Sequence, residues 1–377
     1  MESNIVENFI SYKLEDVFEN YKLSTEEIKF KNNSNLEGTK YCYGQEGFQG
    51  KKNLISLVHA SIKIELDENM PYMGENIVEY VEVQIGGSKI YHHDSNYINI
   101  FNSLHYSNED KNKLKNIMGN QGSKIRYLPL TSMFRHKGNI IPLYRFIFHD
   151  LKFIVKFKNN LQSEIKNPTL ILEYVSDFKY ENTDYHENMI ELVEMNKEII
   201  KFDDFQEIKL FNYLKKNVIS KKNVIDQVFN NNDILNNIFS FLLKKNRFKA
   251  ESYFYNSKEL FWVVKPIDNN NYVDLFDNIT LQIYDKVILN NEKKEYFLDF
   301  QQKHNHTNKI DYVYVYSFIE NPEKEQISDN FKSNNIYLEM KFNYDKIKNQ
   351  EYEFIIYNVK YNILRFMSGL VGLAYSF

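Results

Sequence analysis

Residues able to do chemistry are few in this 377-residue chain, and their spacing rarely brings them together. His304-Asn305-His306 is the best candidate: two imidazoles two positions apart share one face of an extended strand, and imidazole is a common metal ligand. They lie in the polar run QQKHNHTNK, however, which reads as a loop, and no carboxylate follows at a ligand's spacing. His92-His93 would point to opposite faces of a strand and so could not readily share an ion. Cys42, the sole cysteine, stands among tyrosines with no base near it, which suits a packing contact better than a nucleophile. Asp177 and the Asp203-Asp204 pair make no spaced set of carboxylates. GQEGFQG (44–50) spaces its glycines as a flexible loop, and no P-loop, Gly-x-Gly-x-x-Gly or Gly-x-Ser-x-Gly occurs. These residues name no catalytic group, no cofactor-binding group and no metal ligand. The expectation is a protein that is not an enzyme and carries no cofactor.

Composition narrows the classes further. A single cysteine allows no internal disulfide, which fits a reducing compartment. No apolar segment approaches the roughly 20 residues of a membrane span, and the first twenty residues carry acids where a signal peptide carries bases. The expectation is a chain made and kept on the cytosolic side. A formal net charge of −4 argues against a nucleic-acid binder driven by phosphate neutralisation. The lysine pairs at 215–216, 221–222 and 244–245 are surrounded by acids and asparagines and read as solvated surface. Asn32, Asn278 and Asn305 open glycosylation tripeptides, a number that chance supplies in an Asn-rich chain.

The elements that must position these residues are mostly strands. Twenty-nine Tyr and 29 Phe favour pleated, half-buried surfaces. LISLVHASIKIEL (54–66) and IVEYVEVQI (77–85) alternate, and Gly86-Gly87 after the second predicts a tight hairpin into SKIYHH. Further strands are predicted at 140–157 (broken at His149-Asp150), 169–178, 205–214, 248–255, 258–265, 279–289, 311–319, 335–343 and 351–366. Helical spacing appears at 108–120, 185–195 and 224–243. Many short strands and few helices imply sandwiches rather than alternating βαβ units, and 377 residues suggest two of them, with a junction near 195–205. Trp262, the sole tryptophan, lies in KELFWVV and is predicted to be core.

The stretch YNILRFMSGLVGLAYSF (361–377) carries one charge, Arg365, and is too short to span a bilayer. It is predicted to close a barrel as a strand over 354–366, to turn at Ser368-Gly369 and to bury Leu370, Leu373, Tyr375 and Phe377. Arg365 should reach a carboxylate or carbonyls.

These blocks together resemble the major capsid proteins of nucleocytoplasmic large DNA viruses, such as iridoviruses and phycodnaviruses. The tail 357–377 is similar to that family's C-terminal signature. VEYVEVQIGGSKI (78–90), LPLTSMFRHKGNIIPLYRFIFHDLKF (128–153), LEYVSDF with HENMIE (172–191), KELFWVV (258–264) and VYVYSFIENPEKEQISDNF (313–331) follow in the family's order. Pro322, Glu323, Gln326, Ser328 and Phe331 stand in register. Three features depart from the pattern. Residues 1–50 lack the aromatic, basic segment expected there, Asp329 replaces a glycine, and 205–247 is longer and more helical than usual.

The resemblance implies an all-β double jelly roll: an arm (1–50), a first jelly roll (51–200) and a second (201–377) with a helical insertion near 205–247. It implies a homotrimeric, pseudo-hexagonal capsomer in the capsid of an icosahedral virion assembled in the host cytoplasm. The partners implied are neighbouring capsomers and minor capsid proteins, with the internal viral membrane as a further neighbour and no direct nucleic-acid contact. A poxvirus-like scaffold or minor capsid protein of the same fold is the alternative. A cupin- or lectin-like enzyme or binding module is the alternative of another class.

Overall fold

The computed structural model describes residues 14–18, 21–30, 36–40, 54–66, 74–118, 124–135, 139–146, 148–159, 161, 164–177, 185–200, 247–254, 257–269, 271–283, 286–322, 334–343, 346 and 350–374. Contacts group the chain into two units: Met1–Glu194 with Val359–Phe377, and Met195–Asn358. The sequence reading assigns all of 201–377 to the second barrel, whereas by contacts the tail groups with the first unit. Cys42, Asp203-Asp204, the helical insertion near 205–247, the motif residues 323–331, Tyr375 and Phe377 lie outside the described residues.

In the first unit, β1 (Tyr21–Lys29), β3 (Leu54–Glu65), β6 (Ile125–Pro129) and β9 (Lys166–Asp177) form a sheet in the order β1-β9-β3-β6, with β7 (Ile141–Pro142) paired to β3. β2 (Leu36–Lys40), β4 (Val78–Ile85), β5 (Ser88–Asp94) and β8 (Leu151–Phe157) form a second in the order β2-β8-β4-β5. The chain passes repeatedly from one sheet to the other, the winding of a jelly roll. Alternation explains the core. β8 reads LKFIVKF with Leu151, Phe153, Val155 and Phe157 buried and the residues between them partly exposed. Those side chains meet Ala60, Ile62 and Ile64 of β3 and Leu170 and Leu172 of β9 in one cluster. The predicted hairpin is present: Gly86 (φ 55°) and Gly87 (φ 82°) both take left-handed angles, as a two-residue turn between twisted strands demands.

In the second unit, β11 (Arg247–Phe254), β13 (Phe276–Ile283), β14 (Lys286–Lys293) and β16 (Asn334–Phe342) form a sheet in the order β11-β16-β13-β14. A further sheet, with strands from both units, has the order β10-β17-β12-β15, made by β10 (Tyr185–Ile200), β12 (Ser257–Pro266), β15 (Tyr314–Ser317) and β17 (Tyr352–Met367), with β18 (Leu370–Leu373) on β17. β10 and β17 are 16 residues long, and each contributes to both units. A separate cluster, including Leu260, Trp262, Leu281, Phe297 and Phe354, forms the second unit's core.

Three sequence readings are corrected, and one helix with no counterpart among them is added. Residues 185–195, expected as a helix, belong to β10; Ile190 and Leu192 enter the core two positions apart, and sheet pairing overrides the helix propensity of Glu, Met and Leu. Residues 279–289 are not one strand but parts of the β13–β14 hairpin. Ser95–His105 is a helix, α1, followed by the predicted α2 (Asn108–Met118). The QQKHNHTNK run opens with a third helix, α3 (Gln301–Asn305), continuing a π-helical turn over Tyr296–Phe300.

Candidate functional site

The histidines do not assemble as ligand spacing suggested. His304 is exposed beside the Phe300 ring, with centroids 5.5 Å apart. His306 is buried with Nε2 3.0 Å from a Glu259 carboxylate oxygen, so the two imidazoles serve different surroundings. His92 and His93 do face opposite ways on β5. His92 Nδ1 lies 3.1 Å from Glu82, which also holds Lys89 at 2.6 Å and Gln84. Burial pushes the Glu82 carboxyl up, but the bonds from Lys89, Gln84 and His92 outweigh it and leave the group below its ordinary value.

His93 is buried against Ser132, Nδ1 to Oγ 2.8 Å, between the rings of Tyr91 and Tyr97. Burial, aided by the nearby His92, pushes this imidazole down to about 3 against the opposing pull of Glu191. It is therefore neutral and acts as a packed polar wedge. The next residue, Asp94, caps α1 by accepting the Tyr97 N–H at 2.9 Å. That cap, with Tyr97, Ile98, Phe101 and Leu104 recurring behind it, was a readable signal that strand-centred reading passed over.

A second buried pair lies across β3 and β9, where His59 Nδ1 stands 2.8 Å from the Glu173 carboxylate. In the second unit Trp262 is fully buried, stacked on Tyr314 at 5.6 Å and edge-on to Phe297, which bears out its core reading. The Tyr314 hydroxyl donates to Asp274 at 2.7 Å, and Asp274 also receives Lys294 at 2.5 Å and Lys346.

The tail is held in the first unit. Ser368 (φ 49°) and Gly369 (φ 82°) make the predicted turn, and β18 returns along β17 with Val371 opposite Phe366. Leu364, Phe366 and Val371 join the first core, and Phe366 meets Phe146 with ring centroids 6.0 Å apart. The inward residue differs from expectation: Val371 is 3% exposed and Leu370 is 47% exposed, because the turn sets the parity of the returning strand. Arg365 finds its carboxylate, Glu187, at 2.8 Å.

These contacts brace the two β-sandwich units internally. Residues 56–192 match the family model described as major capsid protein N-terminus. The chain is also similar to PBCV-1 VP54 as fitted into a cryo-EM reconstruction of the virophage Sputnik, with a TM-score of 0.63 and 15% identity over 95% of this chain and 98% of that one. Residues 56–192 are therefore similar to the N-terminal part of major capsid proteins, and the chain as a whole has the double jelly-roll fold. The Faustovirus major capsid protein shares the capsid fold at a TM-score of 0.59 and 7% identity, with 91% of this chain and 90% of that one covered. No curated protein sequence matches the chain. At such low identities the structural likeness carries the fold. The family match over residues 56–192 supports a structural capsid role, and the buried polar pairs brace the two units.

Proposed function

We propose that three copies of this capsid protein form one pseudo-hexagonal capsomer of an icosahedral DNA-virus shell. The observation that supports it is the presence of two jelly-roll units in a single chain. A closed trimer of two-barrel chains presents six barrels, and cyclic symmetry is the usual way a soluble chain closes on itself. In this reading the arm (1–50), first barrel (51–200) and second barrel (201–377) meet neighbouring capsomers, minor capsid proteins and an internal membrane during assembly in the host cytoplasm. No part of the chain is asked to bind nucleic acid directly.

Light scattering on the purified protein at micromolar concentration tests the trimer. A mass of three chains supports it, and a monodisperse monomer overturns it. Presence of the chain in mature particles separates a shell subunit from a scaffold that is shed.

A further inference from the structure

A chamber of about 660 Å³ opens at one end of the first unit, at the ends of β1, β3 and β8 and the start of β9. This volume falls in the range of small-molecule sites, roughly 300–1,000 Å³. Its floor is apolar: Phe157 belongs to the first core, and Phe30 and Ile165 pack against it. Its rim is polar and already ordered. Lys63 donates to Glu27 at 3.1 Å, and the Asn167 amide donates to Glu65 at 2.8 Å. Asn167 itself takes a left-handed angle (φ 47°), with the Thr169 hydroxyl donating to its carbonyl oxygen at 3.1 Å. Asparagine adopts this region more readily than other side-chain-bearing residues, and the Glu65 bond holds its amide at the rim.

Among the described lining residues the charges cancel, Glu27 and Glu65 against Lys29 and Lys63. A bare anion or cation therefore gains little. The rim's donors and acceptors already pair with one another, so an apolar ligand gains nothing from them, whereas hydroxyls can use the acceptor and donor positions those pairs leave open. A neutral ring with one carbon-hydrogen face and a circle of hydroxyls fits both surfaces. We propose that this chamber is a saccharide-binding site, with the partly buried Phe30 ring under the sugar face and Glu65 and Asn167 engaging its hydroxyls.

The test uses the purified full chain and stands whatever its oligomeric state. A panel of free monosaccharides and disaccharides (glucose, galactose, mannose, fucose, N-acetylglucosamine, sialic acid, lactose) is titrated by saturation-transfer NMR and calorimetry, with inorganic phosphate as a charged control. Binding of at least one sugar is expected, weakened about tenfold by Glu65→Gln and by Asn167→Ala, since each removes a hydrogen-bonding partner. Melting curves confirm that each variant is folded, and the second variant serves if the first is not. The proposal is overturned if no sugar binds at tens of millimolar, if phosphate binds in place of sugars, or if folded variants bind as the parent does.

Discussion

The Nδ1 atom of His149 accepts the backbone N–H of Val371 at 3.1 Å, tying the returning tail strand to the segment before β8. The same imidazole blocks the β4–β5 turn: a Cβ placed on Gly86 would lie 2.7 Å from the His149 ring, while one on Gly87 would meet nothing within 4 Å. Both glycines have positive φ, so alanine is strained at either. Only at position 86 must the ring that holds Val371 also give way. Gly86→Ala is expected to destabilise by about 2–3 kcal/mol and Gly87→Ala by about 1 kcal/mol. Thermal melts of the two variants check the order, and equal losses would show that the His149 contact does not matter.

Deletion of residues 370–377 removes β18 and with it Val371, whose side chain is nearly fully buried. Burial of one such side chain contributes about 1.5–3 kcal/mol, and the lost strand pairing adds to it. A fall in the melting temperature of several degrees is expected, at about 2–4 °C per kcal/mol for a domain of this size. Arg365→Ala should cost under about 1 kcal/mol, because the Arg365–Glu187 pair is substantially exposed and solvent screens it. A truncated chain melting with the parent would mean that the tail is no clamp.

What was legible followed local rules. Alternation marked β3, β4 and β8, paired glycines marked the hairpin, and Ser368-Gly369 marked the tail turn, because each is fixed by neighbours in sequence. β10 was misread because its Glu- and Met-rich sequence favours a helix, and only a distant partner, β17, makes it a strand. The bracing pairs were illegible for the same reason: Arg365 and Glu187 lie 178 residues apart, His59 and Glu173 lie 114 apart, and no local pattern announces either. The exclusion of a shared metal at His304 and His306 rested on a supposed loop. Their separation instead comes from the end of α3, which turns the second imidazole inward.

His93 should make stability depend on pH below neutrality. In the unfolded chain the imidazole takes up a proton below its ordinary 6.5, whereas in the folded protein it resists until about 3. A base with a depressed folded value contributes stability above its unfolded value and loses it as pH falls between the two. The expected slope is roughly 1.4 kcal/mol per pH unit over that window. His93→Gln keeps a polar partner for Ser132 without a titrating ring. Urea midpoints at pH 7, 5 and 4 should converge for this variant and separate for the parent, and an unchanged slope would remove His93 from the account.

Asp274 should govern a different and more acidic window in the second unit. Burial pushes its carboxyl up, but hydrogen bonds from Lys294, Lys346 and Tyr314 prevail and hold it below its ordinary 3.8. An acid with a depressed folded value contributes stability above its unfolded value and loses it as pH falls through the folded one, so this contribution is intact at pH 5 and fades below about pH 4. Asp274→Asn leaves two ammonium groups facing a neutral amide. Lys294 is mostly buried, and the variant is expected to lose about 2 kcal/mol at pH 7, less than for a fully buried pair because Lys346 is partly exposed. Trp262 gives the readout: it is the only tryptophan and stacks on Tyr314, whose hydroxyl donates to Asp274. Emission from a dry, packed Trp262 should shift to longer wavelength as the second core opens. The parent's midpoint in denaturant should fall steeply below pH 4, while that of Asp274→Asn should start lower and stay flatter over the same range. Parallel curves for the two proteins would show that the Asp274 carboxylate is not what braces this barrel against acid.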